Sequence, residues 1–307
     1  MKIGILGIGG IGGFIASKML QSKDKDEIIL ITKERQKRAI ISEGLTLLDG
    51  DKSEKVHVID VVSTNDKIEK LDILFIAIKS YDLKESLKNI RSSISDKTLI
   101  IPLLNGISIK NIICDTLNLS ERQVIDGCIY IISNKINDST IRHVGGPGRI
   151  IIGGENQTAL NTLQTVLEKY DLDIGYHKDI KEILWKKFLF VSPISAISTA
   201  NGVTFGALQD DAYLMIQCQS LMEEVILIAK KLGINLSHED IKNTIEMLKK
   251  FPYEAKSSFQ LDIEKNQKNE KNILIDDVIS LGEKLDLDVI NYISINQQIM
   301  DRYLCVQ

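Results

Sequence analysis

Lys2-Ile-Gly-Ile-Leu6 runs directly into Gly7-Ile8-Gly9-Gly10-Ile11-Gly12 at the start of this chain, and a helical pattern follows. A strand, then Gly-x-Gly-x-x-Gly, then a helix is the context that a dinucleotide-binding turn requires. Gly7 permits the tight turn, Gly9 lets the backbone approach a pyrophosphate, and Gly12 lets the helix pack close to the sheet. The stretch therefore predicts a dinucleotide site at the N-terminus of the first helix, whose N–H groups face the phosphates.

An ordinary glycine-rich turn and a secretory signal peptide are the competing interpretations of this apolar N-terminus. Glycines interrupt the apolar run, no small-residue cleavage site follows, and the next segment, Ser22-Lys-Asp-Lys-Asp-Glu27, is charged. These features disfavour a signal peptide.

Size and charge narrow the class of protein. A chain of 307 residues predicts two domains, and a formal net charge of -4 disfavours a nucleic-acid partner, which would need a basic face. No apolar run approaches the roughly 20 residues that cross a bilayer. The four cysteines and four histidines are scattered, so neither a metal site nor a disulfide framework is predicted. We expect a cytoplasmic protein that acts on a small molecule, without a nucleic-acid or membrane partner.

Alternating strand and helix patterns in the first half predict an α/β fold with a doubly wound parallel sheet. The expected later strands are Glu27–Thr32, Val56–Val62, Leu71–Ile78, Leu99–Leu104, Val124–Ile132, Arg149–Ile152 and Leu172–His177. From about Asn156 the apolar residues recur with a period near 3.6. We therefore expect a Rossmann-type domain over residues 1–177 and an all-α domain over residues 178–307.

The end of the second strand predicts which dinucleotide binds. In this fold an acid there accepts from the ribose 2′-OH of NAD, whereas a cation accommodates the 2′-phosphate of NADP. The strand ends in Thr32-Lys33-Glu34-Arg35, which favours NADPH, with Lys33 the first candidate and Arg35 the second. A solvated helix start is the alternative. Lys79, at the end of a later strand, is a candidate for a phosphate or nicotinamide contact, and a structural role is equally open.

The helical pattern from Asp179 to Val191 places two lysines differently. A ketone reduction by hydride needs a group that protonates the alkoxide, and a lysine whose pKa is lowered in a cleft can do this. Lys186 has Glu182 four residues before it, the spacing of an exposed ion pair. Lys187 projects from an apolar face, and a snorkelling stem is the alternative interpretation. Its neighbours at helical spacing are Ile183, Leu184, Phe190 and Val191.

The chain resembles the ketopantoate reductase (2-dehydropantoate 2-reductase) family over nearly its whole length. The matching pieces, in the family's order, are Gly7 to Gly12, Lys79-Ser-Tyr81, Leu104-Asn105-Gly106, Gly145 to Gly154, Leu184-Trp-Lys-Lys187, Ser257 to Asp262, and Glu270 ahead of Leu281-Gly282-Glu-Lys-Leu285. The resemblance implies NADPH-dependent reduction of ketopantoate to pantoate, in pantothenate and coenzyme A biosynthesis.

The same resemblance implies roles for individual residues. Lys187 is the expected catalytic lysine, Glu270 orients it and the substrate hydroxyl, Asn105 lies beside the nicotinamide and the reacting carbonyl, and Ser258 binds the substrate carboxylate. The residues alone leave other interpretations open. Glu270 lies in a polar run that is typical of a solvated charge cluster, Asn105 precedes a glycine as in an ordinary turn, and Ser258 is compatible with a helix-surface hydroxyl.

The sequence departs from the family at expected substrate contacts. Many members carry asparagines where this chain has Val191, Ser195 and Ala255. We therefore keep a related reductase of a different, more apolar 2-oxo acid as an alternative. An NADPH-binding sensor or interaction protein with little turnover is the alternative from another class, and retention of both Lys187 and Glu270 argues against it. The C-terminal helices suit either a monomer with a cleft or a homodimer.

Overall fold

The computed structural model describes residues 1–23 and 26–303. Its backbone forms two compact units, one of Met1–Leu104 with Ile109–Ile180 and the other of Asn105–Ser108 with Lys181–Gln307. Of the cysteines considered above, Cys305 lies outside the described residues.

The strands of the first unit are β1 (Lys2–Leu6), β2 (Glu27–Thr32), β3 (Leu45–Asp49), β4 (Lys52–Val56), β5 (Val61–Ser63), β6 (Ile73–Ile76), β7 (Leu99–Pro102), β8 (Asp126–Lys135), β9 (Thr140–Gly153) and β10 (Ile174–His177). Its helices are α1 (Gly10–Leu20), α2 (Glu34–Glu43), α3 (Leu83–Asn89), α4 (Ile109–Leu117) and α5 (Gln157–Leu167).

The main sheet runs in the order β5-β2-β1-β6-β7, with all neighbouring strands parallel. Its strands are almost continuously apolar and buried, as expected of a parallel sheet covered on both faces. The chain winds outward from β1 through β2 to β5, then returns to β6 on the other side of β1. This reversal puts a topological switch point at the carboxyl ends of β1 and β6, where open α/β sheets bind ligands. The expected Rossmann-type sheet is confirmed.

Apart from a parallel bridge between Val124 and Ile100 of β7, the strands predicted after β7 do not continue the main sheet. β8, β9 and β10 join a second, mixed sheet in the order β10-β9-β3-β4, with β8 paired to β9. The short link between β8 and β9 is the physical reason. Residues 136–139 suffice for an antiparallel hairpin, whereas a parallel connection needs a crossover of a dozen or more residues.

The expected strand Val56–Val62 is also wrong as a single element. Its first residue ends β4, which pairs antiparallel with β3, and its last part forms β5 in the main sheet. The Asp49-Gly50 turn that joins β3 to β4 has Gly50 at φ +57°. Asp-Gly between two strand patterns is a strong hairpin signal, and it could have located this pair.

The second unit is mostly helical, as predicted. Its helices are α6 (Ile180–Asn201), α7 (Phe205–Asp210), α8 (Ala212–Lys231), α9 (His238–Leu248), α10 (Ser258–Glu264), α11 (Asp277–Lys284) and α12 (Ile290–Tyr303), with a π-helical turn over Asn272–Asp276 leading into α11. Apolar residues continue along α6 well beyond Val191, and the helix extends through Pro193 to Asn201.

By length and hydropathy alone α8 could cross a membrane, with a mean hydropathy of 1.3 over its most apolar window. Half of that window is buried within the fold. Glu224, on this helix, is buried and accepts from the backbone N–H groups of Asn291 and Tyr292 at the start of α12. The helix therefore forms part of the core of the second unit.

Candidate active site

The glycine turn after β1 leaves room for a ligand at one position. Gly7 has φ +93°, and its N–H donates to the Ile31 carbonyl of β2 at 2.8 Å. Apart from Gly9 and its two chain neighbours, no atom of the described residues lies within 4 Å of the place a Cβ would take at Gly9, which caps α1. Gly10 and Gly12 are crowded instead, against the Ser133 and Gly7 carbonyls. The open backbone at Gly9, at a helix N-terminus, fits a pyrophosphate group.

A buried glutamine that sequence reasoning missed supports this turn. Gln36, in the first turns of α2, donates from Nε2 to the Ile8 carbonyl at 2.6 Å and accepts from Thr32 Oγ1 at 2.5 Å. It therefore joins the end of β2 to the glycine turn. Its four-residue spacing from Ile40, the other buried residue of α2, is the one signal that could have found it.

Lys33 and Arg35, the cations predicted to bind the 2′-phosphate of NADPH, lie at the start of α2. Each of them has an acidic partner. Lys33 caps the helix, and its Nζ lies 2.8 Å from Asp82 Oδ2. This hydrogen bond raises the pKa of Lys33. Arg35 Nε lies 2.5 Å from Asp138 Oδ2. Lys79 is half-buried and directly precedes the short 3-10 turn Ser80–Asp82.

In the helical unit, the two adjacent lysines of α6 have different surroundings. Lys186 Nζ lies 2.6 Å from Glu182 Oε1 and 3.2 Å from Asp240 Oδ1 of α9. The hydrogen bond from Lys186 to Glu182 raises the pKa of the lysine. Lys186 thus forms the predicted ion pair and a second one. Lys187 is half-buried at the next position of the helix.

Glu270 is buried, with 4% of its surface exposed, although residues 264–268 just before it are exposed. A solvated charge cluster therefore describes those neighbours and not Glu270. The π-helical turn begins two residues later, at Asn272, and the Leu274 N–H donates to the Glu270 carbonyl at 3.1 Å. Single π-helical turns occur frequently at functional sites.

Asn105 belongs to a short segment, Asn105–Ser108, that groups with the helical unit. Asn105 is half-buried, and Gly106 has φ +109°, which explains the glycine in this turn. The Ser108 hydroxyl donates to the Asp277 carboxylate at the start of α11. The segment that contains Asn105 is thereby hydrogen-bonded to α11, which begins seven residues after Glu270.

The predicted substrate contacts lie on two helices. Ser258 is exposed and is the first residue of α10, whose cap is Ser257. On α6, Val191 is half-buried one turn beyond Lys187, about 6 Å along the axis. Ser195 is buried a further turn along. Ala255 is half-buried, and its carbonyl accepts from Phe205 N at 2.8 Å.

Buried hydroxyl groups connect α6 to the segment after Glu270. Ser192 Oγ donates to the Leu274 carbonyl of the π-helical turn and lies within hydrogen-bond distance of the Tyr292 hydroxyl of α12. The sequence pattern does not predict this contact, because a serine at position 192 is equally compatible with an exposed helix surface.

A Rossmann-type sheet with an open glycine turn, joined in one chain to a helical unit that carries a lysine and a buried glutamate, is the arrangement expected of a nicotinamide-dependent oxidoreductase. Comparison with known protein families identifies the family within this class. The family model for ketopantoate reductase PanE/ApbA matches residues 3–157, and the model for the C-terminal domain of the same family matches residues 179–301. The chain belongs to the ketopantoate reductase family.

Individual relatives are distant but span the chain. It is 26% identical over 294 residues to the uncharacterized oxidoreductase YkpB of Bacillus subtilis (strain 168), covering 94% of each chain. It is 24% identical over 310 residues to the 2-dehydropantoate 2-reductase of Mesorhizobium japonicum, covering 93% of each. A solved structure of D-mandelate dehydrogenase with NADH and anilino(oxo)acetate is similar with a TM-score of 0.89, at 19% identity over 99% of both chains. At this level of identity, the similarity to D-mandelate dehydrogenase is a similarity of fold alone.

Proposed function

We propose that this protein uses NADPH to reduce a 2-oxo acid, with 2-dehydropantoate (ketopantoate) giving pantoate as the default reaction, in the route to pantothenate and coenzyme A. Residues 1–177 bind the cofactor, and residues 178–307 bind the substrate and carry the catalytic pair. The observation that carries the proposal is the burial of the Glu270 carboxylate in the same helical unit as the half-buried Lys187. Buried carboxylates need a partner of this kind, and such pairs concentrate at catalytic sites.

When bound, the reduced nicotinamide supplies the hydride that attacks the C2 carbonyl carbon. The Lys187 ammonium holds a proton at the carbonyl oxygen and transfers it as the alkoxide develops, a contribution of roughly 10²–10⁴ in rate. The Glu270 carboxylate orients the lysine and a substrate hydroxyl. Asn105 fixes the reacting carbonyl, and the exposed Ser258 hydroxyl donates to the substrate carboxylate.

The cofactor assignment is supported by Lys33 and Arg35 at the end of β2, where a 2′-phosphate is accommodated in this fold. It is also supported by the open backbone at Gly9. The widely spaced cysteines are consistent with a protein that functions in the reducing cytoplasm.

A second candidate is a related reductase that acts on a more apolar 2-oxo acid. Val191, Ser195 and Ala255 favour it, because they replace amide side chains with apolar or shorter groups on the helical unit. The likeness in fold to D-mandelate dehydrogenase, solved with anilino(oxo)acetate, is compatible with this candidate.

A turnover assay against a panel of 2-oxo acids tests both candidates. Purified protein with NADPH is followed at the nicotinamide absorbance with ketopantoate, with aliphatic 2-oxo acids that lack its hydroxyl, and with aromatic ones. Fastest turnover of ketopantoate supports the default reaction, and a larger kcat/KM for an apolar acid supports the second candidate. Tight NADPH binding without turnover of any acid would overturn both in favour of a cofactor-binding sensor.

A further inference from the structure

The cations at the start of α2 have acidic partners. The segment from Lys33 to Arg38 contains four cations and one acid. Each cation lies within salt-bridge distance of one carboxylate. The pairs are Lys33–Asp82 at 2.8 Å, Arg35–Asp138 at 2.5 Å, Lys37–Asp66 at 2.6 Å and Arg38–Glu34 at 3.0 Å. The surplus of positive charge that favours a 2′-phosphate is therefore offset by acids from elsewhere in the first unit.

Asp82 is the acid that matters most, because of where it comes from. It follows β6, whereas Lys33 follows β2, and these two strands flank β1. The ion pair therefore lies beyond the carboxyl end of β1, where the glycine turn begins. In this fold the adenosine ribose of a dinucleotide is held near the end of β2.

The two partners differ in exposure. The Lys33 side chain is 79% exposed and the Asp82 side chain is 21% exposed. The carboxylate is thus the more fixed partner, and the lysine is a long side chain that can reorient. An ion pair this exposed is weak enough for a ligand to exchange.

The chemistry of the two cofactors differs at this point. A 2′-phosphate brings about two negative charges, so it attracts Lys33 and is repelled by Asp82. A 2′-hydroxyl is a hydrogen-bond donor, which a carboxylate accepts, as the acid at the end of the second strand does in NAD-dependent members of this fold. Asp82 therefore acts on cofactor choice in the direction opposite to Lys33.

We infer that Asp82 is a specificity-determining residue, which limits the preference for NADPH over NADH by engaging Lys33 and by accepting from a 2′-hydroxyl. The inference rests on the proposed nicotinamide chemistry and adds to it a residue that opposes the phosphate. Asp138 acts in the same direction on Arg35 but less strongly, because Lys135 Nζ, 2.9 Å away, already compensates its charge.

Direct binding measurements test the inference without turnover. The dissociation constants of NADPH and NADH are measured by calorimetry for the wild type and for Asp82→Asn. The amide keeps the size of the side chain and removes its charge. We expect NADPH to bind about 3- to 5-fold more tightly, and NADH about 2- to 3-fold more weakly, so that the ratio rises about 10-fold. The gain for NADPH should shrink between about 0.05 M and 0.5 M salt, because exposed charges are screened.

Asp171→Asn is the matched control. Asp171 is 88% exposed and is paired with Lys18 near the C-terminal end of α1, so its loss changes the net charge equally away from the turn. It should leave the ratio of the two dissociation constants unchanged, and Asp138→Asn should raise it less than Asp82→Asn. A change below 2-fold for Asp82→Asn, or one matched by Asp171→Asn, would overturn the inference. Failure of the wild type to bind either cofactor would instead overturn the proposed function itself.

Discussion

The hydroxyl groups of Ser192 and Tyr292 lie 2.6 Å apart in the core of the helical unit. Ser192 also donates to the Leu274 carbonyl at 2.5 Å, so the Tyr292 hydroxyl donates to Ser192. Both residues are fully buried. The contact joins α6 five residues after Lys187 to the π-helical turn four residues after Glu270. The helix that carries Lys187 is thus linked to the turn that follows Glu270, and these two side chains are proposed to work together.

Ser192→Ala should lower both stability and catalysis. It removes the donor to Leu274 and the acceptor for Tyr292, which leaves two buried polar groups without this partner and costs about 1–3 kcal/mol in the free energy of unfolding. Urea unfolding measures that loss. We also expect a lower kcat at saturating substrate, because α6, which carries Lys187, loses its connection to the π-helical turn that follows Glu270. Ser198→Ala is the control, since the buried Ser198 hydroxyl donates within α6, to the Ser195 carbonyl. Equal effects of the two substitutions on kcat would contradict this role.

Lys187→Ala should reduce kcat by at least about 10²-fold while the fold is kept, as expected for loss of a general acid. Lys186→Ala is the matched control one residue away. It removes contacts with Glu182 and Asp240 that are partly exposed, so it should cost under about 1 kcal/mol of stability and little activity. Steady-state kinetics and circular dichroism separate the two outcomes. Greater damage from Lys186→Ala would show that the wrong lysine has been assigned.

Glu270→Gln should raise KM and lower kcat together, because the carboxylate is proposed to hold both the substrate hydroxyl and Lys187. The amide preserves the volume of the buried site, so the change is chiefly one of charge. Steady-state kinetics with ketopantoate measures both constants. Glu246→Gln, in an exposed pair with Lys249, is the control and should leave both unchanged. An effect of Glu270→Gln below about threefold in both constants would count against a catalytic role.

Lys33→Glu should weaken NADPH binding more than NADH binding, because it places a second carboxylate beside Asp82 where the 2′-phosphate is accommodated. Calorimetric titration of both cofactors measures the difference. Lys97→Glu makes the same charge change at an exposed position before β7 and should affect neither cofactor selectively. Equal loss of affinity for both cofactors in Lys33→Glu would remove the charge argument for NADPH.

Val191→Asn should favour ketopantoate over apolar 2-oxo acids. It restores an amide one turn beyond Lys187, and one added hydrogen bond of about 0.5–1.5 kcal/mol would lower KM for ketopantoate by roughly 2- to 12-fold. The kcat should change little, since Lys187 and Glu270 remain. The ratio of kcat/KM for ketopantoate to that for an apolar acid is the measurement, with the exposed Ile216→Asn as control. An unchanged ratio would mean that position 191 does not contact the substrate.

The sequence predicted the parts of this fold that depend on local pattern. The strand, glycine turn and helix at residues 2–20 follow from neighbouring residues, and so does the ion pair between Lys186 and Glu182. The second sheet was missed because β3 and β9 pair across about ninety residues of chain, and alternation along one strand does not identify its partner.

The electrostatics of the candidate site illustrate the same limit. The sequence predicts Lys33 and Arg35 as cofactor-binding cations, but their partners Asp82 and Asp138 lie 49 and 103 residues away in the chain. The burial of Glu270 was also not foreseen, because the run before it is charged and only the packing of the fold distinguishes it from its neighbours.

The two hydrogen bonds of Gln36 have a consequence for engineering the cofactor preference of this enzyme. A usual approach exchanges the whole loop after the second strand for one taken from a homologue. Here that transplant would also remove the side chain that holds the Ile8 carbonyl, and so would disturb the glycine turn, which is the proposed pyrophosphate site for either cofactor. Residues 33–35 can therefore be exchanged on their own, whereas Gln36 has to be kept because it supports the glycine turn.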